Sequence, residues 1–224
     1  MKRVERGVRP NHVSSAFLWV FFGCLSLLLS SCRKEPLNQL SAEETRVYVT
    51  NYNPSVDFSA YQTFSLVDSV ALLSGNNSGR RTELTTSDLA FLSAIRSEMS
   101  ARGYVEVGRE ADPDLGINVS KIDVSFSTIV PDFFPGYWAG WGGYWDPFYW
   151  GFGGVPYNFP VFFSVLSYRQ SAWLIDVVDL ENVTNNELNV VWNAQMEGAG
   201  ILNPNAAANA VQAAFAQSSY FTRN

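Results

Sequence analysis

Carboxylates are the side chains of this sequence whose type and spacing allow chemistry. Cleavage of a glycosidic bond needs two of them, one on each side of the bond. Asp176 and Asp179 lie three residues apart in a predicted strand, where they point to opposite faces, about 10 Å apart along it, and form no such pair. Asp132 and Asp146 border an aromatic segment, and no pattern places them relative to each other. A carboxylate-dependent hydrolase is therefore the weakest interpretation of this chain.

Residues 1–31 have the pattern of a secretory signal peptide. A basic start is followed by an apolar run over 13–29, which is short for a membrane-spanning helix and is interrupted by serine and glycine. The sequence Leu-Ser-Ser-Cys at 29–32 resembles the bacterial lipobox, in which cleavage occurs before the Cys and lipid is attached to it. By that resemblance Cys32 becomes the first residue of the mature protein. Its acyl chains then hold the domain on a bilayer.

Removal of the signal peptide leaves a chain without histidine or a free thiol, because His12 and Cys24 are lost and Cys32 is lipidated. This excludes Ser-His-Asp and Cys-His catalysis, and also zinc or copper sites built from His and Cys. Asp112 and Asp114 flank a proline, a pattern that we expect to form a capped turn rather than a calcium site. We therefore expect no enzyme activity, no cofactor and no metal.

The mature chain is strongly acidic. The whole sequence has 15 basic and 21 acidic residues, and the signal peptide takes four basic and one acidic residue with it, which leaves a net charge near −9. Such a domain lacks the basic surface that gathers phosphates, so nucleic acid is not expected as a partner. Anionic lipid also repels it, which makes a covalent anchor more necessary.

The order of predicted elements indicates the fold class. Residues 32–45 are polar and patternless, as in a flexible tether, and 46–224 suit a single domain. Helical spacing predicts one helix over 88–103, with a cap among residues 86–88 and Gly103 at its end, and a second helix after Asn203-Pro204. Strands are predicted at 46–52, 61–66, 104–108, 115–130, 171–181 and 187–197. We expect an α+β fold: a mainly antiparallel or mixed sheet of about six strands with two helices packed on one face.

Two details of this sheet follow from the apolar pattern. Residues 171–181 are apolar on both faces, which predicts a central strand paired as a hairpin with 187–197. In the second of these strands the residues expected to face inward alternate: Leu188, Val190, Trp192, Ala194 and Met196. The stretch 68–83 contains Ser-Gly-Asn-Asn-Ser-Gly and is expected to be an exposed loop.

An aromatic and glycine-rich insertion occupies 131–163. Its residues 133–163 include a single charged side chain, Asp146. Its prolines and glycines exclude a membrane-spanning helix. One interpretation is a flap whose rings fold onto each other or onto the open sheet face. The other is a contact surface for a protein, a glycan or lipid, since Trp and Tyr give large rigid contact areas. The candidate contact residues are Trp138, Trp141, Trp145, Trp150, Tyr137, Tyr144 and Tyr149.

Four stretches of the sequence resemble the successive motifs of DUF4136 lipoproteins. They are VDFSAYQTFSL (56–66), DPDLGINVSKID (112–123), WLIDVVDLENVTNNELNVVWNAQMEG (173–198) and ANAVQAAFAQSSYF (208–221). The resemblance implies an envelope lipoprotein of unassigned molecular function, in which an aromatic insertion often precedes the final hairpin. One departure is Ser219, which stands where the resemblance leads us to expect proline.

Three functions remain from this sequence. The first is a non-enzymatic envelope lipoprotein with an interaction or structural role, anchored in the bilayer through Cys32 and contacting an envelope protein or glycan through 133–163. The second is a lipoprotein that binds glycan or peptidoglycan with the aromatic segment, and the third is the hydrolase. Arg33, rather than an aspartate, follows the lipidated Cys. By resemblance to other lipoproteins this predicts the outer membrane of a Gram-negative cell.

Overall fold

The computed structural model describes residues 40–73, 81–123, 147–152, 157–158, 171–184 and 187–223. The chain divides into two units, Met1–Leu40 and Ser41–Asn224, and the described helices and strands all lie in the second. Within these ranges, no helix combines the length and apolar character needed to cross a membrane.

Nine strands of the described residues form one mixed sheet. They are Val47–Tyr52 (β1), Thr63–Leu66 (β2), Val70–Leu73 (β3), Thr82–Glu83 (β4), Val105–Glu106 (β5), Leu115–Ile122 (β6), Tyr157–Asn158 (β7), Ala172–Thr184 (β8) and Glu187–Glu197 (β9). The main path runs β1-β9-β8-β6-β2-β5, while β3 pairs with β6 and β4, and β7 pairs with β9. The expected α+β class is confirmed, and the six strands of the main path are joined by three short ones.

Two helices, Thr86–Ala101 (α1) and Ala207–Ala216 (α2), cover the same face of the sheet. On α1, Phe91 stacks on Trp173 of β8 with ring centroids 4.1 Å apart. On α2, the ring of Phe215 lies 5.0 Å from the ring of Trp192 of β9, centroid to centroid. Trp192 is the register partner of Val177, and Val177 shares a face of β8 with Trp173. Both helices therefore lie on the same side of the sheet. We call this side the helix-covered face and the opposite side the second face.

The N-cap of helix α1 is Thr85, one residue before the caps expected at 86–88. The hydroxyl of Thr85 accepts a bond from the backbone N–H of Asp88 at 3.3 Å, and the Asp88 carboxylate accepts one from the Thr85 N–H at 2.6 Å. This reciprocal capping box satisfies two donors that the first turn leaves open. At the other end, Gly103 has a φ of +92°, the left-handed conformation expected for a helix-ending glycine.

The expectation of an exposed loop over 68–83 is wrong for part of its length. The four apolar residues of β3 (70–73) are all buried, and this strand pairs in parallel with β6. The polar residues that follow dominated the sequence pattern, whereas the short apolar run of β3 has no alternation by which to recognise it. Residues 74–80 lie outside the described part of the chain.

The alternation predicted for β9 holds for only part of the strand. Between the pairs Val177↔Trp192 and Val178↔Val190 the register shifts by one residue, a β-bulge at Val191. A bulge reverses the face on which the following side chains lie. Trp192, Ala194 and Met196 therefore face the helices, whereas Val190 and Leu188 lie on the second face, buried there as well.

Candidate functional site: a polar row on the second face

Four polar side chains lie next to one another across the second face. Asn118 of β6 is the register partner of Asp176 of β8, Asp176 is the partner of Asn193 of β9, and Asn193 is the partner of Asn51 of β1. Strands in a sheet are about 4.8 Å apart, so these side chains form a line roughly 14 Å long. We call this line the polar row.

The register assigns the polar row to the second face. Pairing between β6 and β8 is unbroken from Leu115↔Asp179 to Ile122↔Ala172, so the faces alternate regularly along β8. Trp173 contacts α1, and therefore odd-numbered residues from 173 to 179 face the helices while Asp176 faces away.

The ends of the row have hydrogen-bond partners. The indole Nε1 of Trp150 donates to Asn118 Oδ1 at 3.0 Å, and Asn118 Nδ2 donates to the hydroxyl of Tyr157 at 3.4 Å. At the other end, Asn51 Nδ2 donates to Asn193 Oδ1 at 2.9 Å. These bonds fix the orientation of both terminal amides.

The centre of the row lacks such partners. Asp176 Oδ1 and Asn193 Nδ2 are buried, and neither finds a hydrogen-bond partner in the part of the chain that the structure describes. Burial raises the pKa of Asp176 to about 8, so its carboxyl is predominantly protonated at neutral pH. The row is therefore uncharged at pH 7, and its members both donate and accept hydrogen bonds.

Glu197 lies on the same face, since it pairs with Ala172, and burial raises the pKa of its carboxyl as well. Its Oε2 is a third buried atom without a partner among the described residues. The charged pair of the domain interior lies on the opposite side, where Lys121 Nζ is 2.7 Å from Asp88 Oδ1 beneath α1.

Within the described stretch 147–152 of the aromatic segment, Trp150 packs against the second face. Trp150 is only 7% exposed, and its ring lies directly over Gly116, where an added Cβ would be 2.9 Å from Trp150 Cε2. Glycine at this position is what allows the ring to approach the backbone. Tyr149 packs against the core, accepts a bond from the Asp68 N–H at 3.2 Å, and has the Arg109 guanidinium 4.9 Å from its ring centre.

Of the seven candidate contact residues, the structure therefore describes two, and both contact the domain itself. Trp150 is a buried anchor of the segment and does not offer its ring to a partner, which differs from its expected role. This packing agrees with the alternative in which rings of the segment fold onto the open sheet face. The other five candidates lie outside the described residues, as do Cys32, Asp132 and Asp146.

A cleft of about 180 Å³ adjoins Trp150 at the carboxyl end of β8. Charged and aromatic side chains line it: Arg109, Asp112, Asp114, Phe152 and Glu181. Asp114 already accepts bonds from the backbone N–H groups of Gln62 and Thr63, at 2.7 and 2.9 Å. Its carboxylate holds the start of β2, in agreement with the turn-and-cap interpretation of the Asp-Pro-Asp sequence.

The two aspartates of β8 do not meet, as the sequence predicts. Asp179 lies on the helix-covered side, where its Oδ2 accepts a bond from the Tyr61 hydroxyl at 2.7 Å. Its Oδ1 accepts from the backbone N–H of Asn182 at 2.8 Å. Asp179 thus orders the end of the strand, while Asp176 belongs to the polar row.

Asn118 and Asn193 were not predicted from the sequence as members of a site. Each lies in a strand that carries other polar residues as well, such as Lys121 in β6 and Gln195 in β9, so neither stands out in the local pattern. Their proximity depends on the register of strands that are far apart in sequence, and no local pattern encodes it.

Comparison with known proteins identifies the family. Residues 48–218 match the domain of unknown function DUF4136, and the chain belongs to that family. The crystal structure of a DUF4136 family protein from Bacteroides thetaiotaomicron is 27% identical, with a TM-score of 0.67 over 80% of this chain and 99% of that one. The resemblance in the four sequence motifs is confirmed at the level of the domain family.

A second solved structure, a PelC dodecamer from Paraburkholderia phytofirmans, aligns over 80% of this chain and 99% of that chain at 10% identity and a TM-score of 0.39. A likeness this distant says nothing about the function of this chain. Among curated proteins, none matches the sequence.

Proposed function

We propose that this protein is a non-enzymatic, lipid-anchored lipoprotein of the outer membrane whose domain acts by binding. The observation that carries the binding role is a pair of buried atoms, Asp176 Oδ1 and Asn193 Nδ2, that find no partner in the described part of the chain. Natural proteins satisfy nearly all buried polar groups, and the exceptions call for an explanation. Departures from the rules of stable folding are concentrated at functional sites.

The sequence before the domain supports the lipid anchor. A basic start, an apolar run and Leu-Ser-Ser-Cys at 29–32 occur in the order that lipoprotein processing requires. The polar residues 33–46 separate Cys32 from β1, and a chain of that length reaches at most roughly 46 Å when fully extended. An anchored domain therefore works close to the membrane surface.

The non-enzymatic role is supported by the residues available for chemistry. After processing, the chain has no histidine and no free thiol, so carboxylates are the remaining candidates. Asp176 and Asp179 lie on opposite faces of β8 and do not act on one bond together. Asp114 and Asp179 are engaged by backbone N–H groups.

Labelling with radioactive palmitate tests the anchor. The full chain is expressed in a Gram-negative host, and we expect label in the outer-membrane fraction. Cys32→Ser is expected to abolish the label, whereas Cys24→Ser is the matched control and is expected to keep it. Mass spectrometry of the purified protein is expected to show that its amino terminus is an acylated Cys32. An unacylated protein that retains residues 1–31 contradicts the proposal.

Pull-down from solubilised envelopes tests whether the domain binds a protein. We expect at least one protein to be retained by the wild-type chain and lost on the double substitution Trp138→Ala and Trp141→Ala. Asn205→Ala, an exposed position before α2, is the control and is expected to retain the same set. Turnover of any substrate by the purified protein argues against the non-enzymatic role.

A further inference from the structure

We propose that Asp176 and Asn193 form the centre of a binding site for a neutral saccharide, whose hydroxyl groups complete the polar row. This inference rests on the proposed binding role and names its ligand class. It follows from which atoms are unpaired, from the absence of charge in the row and from the arrangement of partners at its two ends.

The two unpaired atoms have complementary requirements. Among the described residues, Asp176 Oδ1 finds no donor and Asn193 Nδ2 finds no acceptor, and the two residues are directly opposite each other on neighbouring strands. A hydroxyl group donates one hydrogen bond and accepts others, so a single hydroxyl placed between them satisfies both atoms. A buried polar atom without a partner lowers stability, so the two atoms are better satisfied when a ligand hydroxyl is bound.

The charge of the face selects a neutral ligand. Asp176 is predominantly protonated at neutral pH, and no cation lies beside it in the polar row. Lys121, which an anionic ligand would need as a partner, is on the helix-covered face and is held by Asp88 and Glu83. An anion in the polar row would thus be desolvated without a cation of the row to pair with it.

The row also has the shape of a linear site. Asn118 is already oriented by Trp150 and Tyr157, and Asn193 is oriented by Asn51. Amide side chains held in this way present fixed donors and acceptors, which reduces the entropy lost on binding. The row is roughly 14 Å long, and its two buried members, Asn118 and Asn193, lie on either side of Asp176. Access is from Asp176, which is partly exposed, whereas Asn193 is fully buried.

Calorimetric titration of the purified full chain tests the site, in a detergent without a sugar headgroup. The probes are three neutral trisaccharides: chitotriose, cellotriose and maltotriose. We expect at least one to bind, and Asn193→Leu to weaken its binding about tenfold or more, the loss expected when a hydrogen-bonded pair is removed.

Matched changes control for effects on folding. Asn205→Leu makes the same substitution at an exposed position, and its affinity is expected to equal that of the wild type. If Asn193→Leu fails to fold, Asp176→Leu replaces it, with the same expected loss of binding. Circular dichroism of every variant establishes that the fold is retained.

Two results overturn the inference. If none of the three sugars binds the wild-type chain, the unpaired atoms are left to a bound water, which satisfies the same donor and acceptor. If a sugar binds equally to the wild type, Asn193→Leu and Asp176→Leu, its site lies elsewhere. In that second case the proposed binding role of the lipoprotein stands, and only the assignment to the polar row fails.

Discussion

Replacing the Asp176 carboxyl by an amide is expected to change how the stability of this domain depends on pH. The pKa of Asp176 is raised by burial from 3.8 to about 8. Between these two values the folded state binds a proton that the unfolded state has released. The free energy of unfolding therefore falls as pH rises from about 4 to about 8, and is level above that. Asp176→Asn removes this titration while keeping the size of the side chain.

The magnitude follows from the shift in pKa. One unit corresponds to 1.36 kcal/mol, so a shift of about four units sets an upper limit of roughly 6 kcal/mol on the effect. Asp176 is partly exposed, which lets solvent stabilise the charged form, and we expect about half of that limit, roughly 3 kcal/mol. The variant should match the wild type near pH 4 and exceed its stability by this amount at pH 8.

Urea denaturation of the full chain at pH 4, 5, 6, 7 and 8, followed by near-ultraviolet circular dichroism, measures the difference. Glu197 also has a raised pKa, but it is present in both proteins and cancels when one curve is subtracted from the other. Glu110→Gln makes the same carboxyl-to-amide change at an exposed position outside the sheet and is the matched control. An Asp176→Asn difference that is the same at pH 5 and pH 8 refutes the assignment of a buried, protonated carboxyl.

Three further substitutions test the packing that surrounds the sheet. Gly116→Ala places a methyl group against the overlying indole ring and is expected to cost about 1–3 kcal/mol and to shift tryptophan fluorescence to longer wavelength. Gly108→Ala, at a φ of −65° with open space around it, is the control and should change neither property. Lys121→Ala leaves the fully buried Asp88 carboxylate without its cation, and a loss of about 3–5 kcal/mol is expected in urea denaturation; a loss below about 1 kcal/mol contradicts a buried ion pair. Arg102→Leu removes donors to three backbone carbonyls near the carboxyl terminus, and faster amide hydrogen exchange of residues 215–223 is expected. Unchanged exchange would show that these bonds do not hold the carboxyl-terminal residues in place.

The elements with sustained periodicity were predictable from the sequence. Helix α1 has apolar residues at helical spacing, and the β8–β9 hairpin has long apolar strands around a polar turn. These patterns depend on neighbours along the chain, so they are readable without knowledge of the tertiary structure. The packing of both helices on one face followed from the order of the elements.

The features that escaped prediction depend on contacts between distant segments. Strand β3 has four apolar residues without alternation, and it is defined by its pairing with β6. The bulge at Val191 is invisible in the sequence of β9, because residues on both sides of it are apolar and both faces of the sheet are buried. The position of Trp150 depends on the absence of a side chain at Gly116, more than thirty residues earlier.

The members of the polar row come together only through the register of the strands. Asn118, Asp176 and Asn193 lie on three different strands, each of which carries other polar residues as well, so no local pattern marks them as a group. A sheet selected for stability alone would carry apolar side chains at these positions, since replacing both members of an unsatisfied pair by apolar groups is neutral or stabilising. Trp150, which closes one end of the row, connects the aromatic segment to it. Trp150 thus links the row to the stretch 147–152, while the members of the row supply the donors and acceptors that we propose select a ligand.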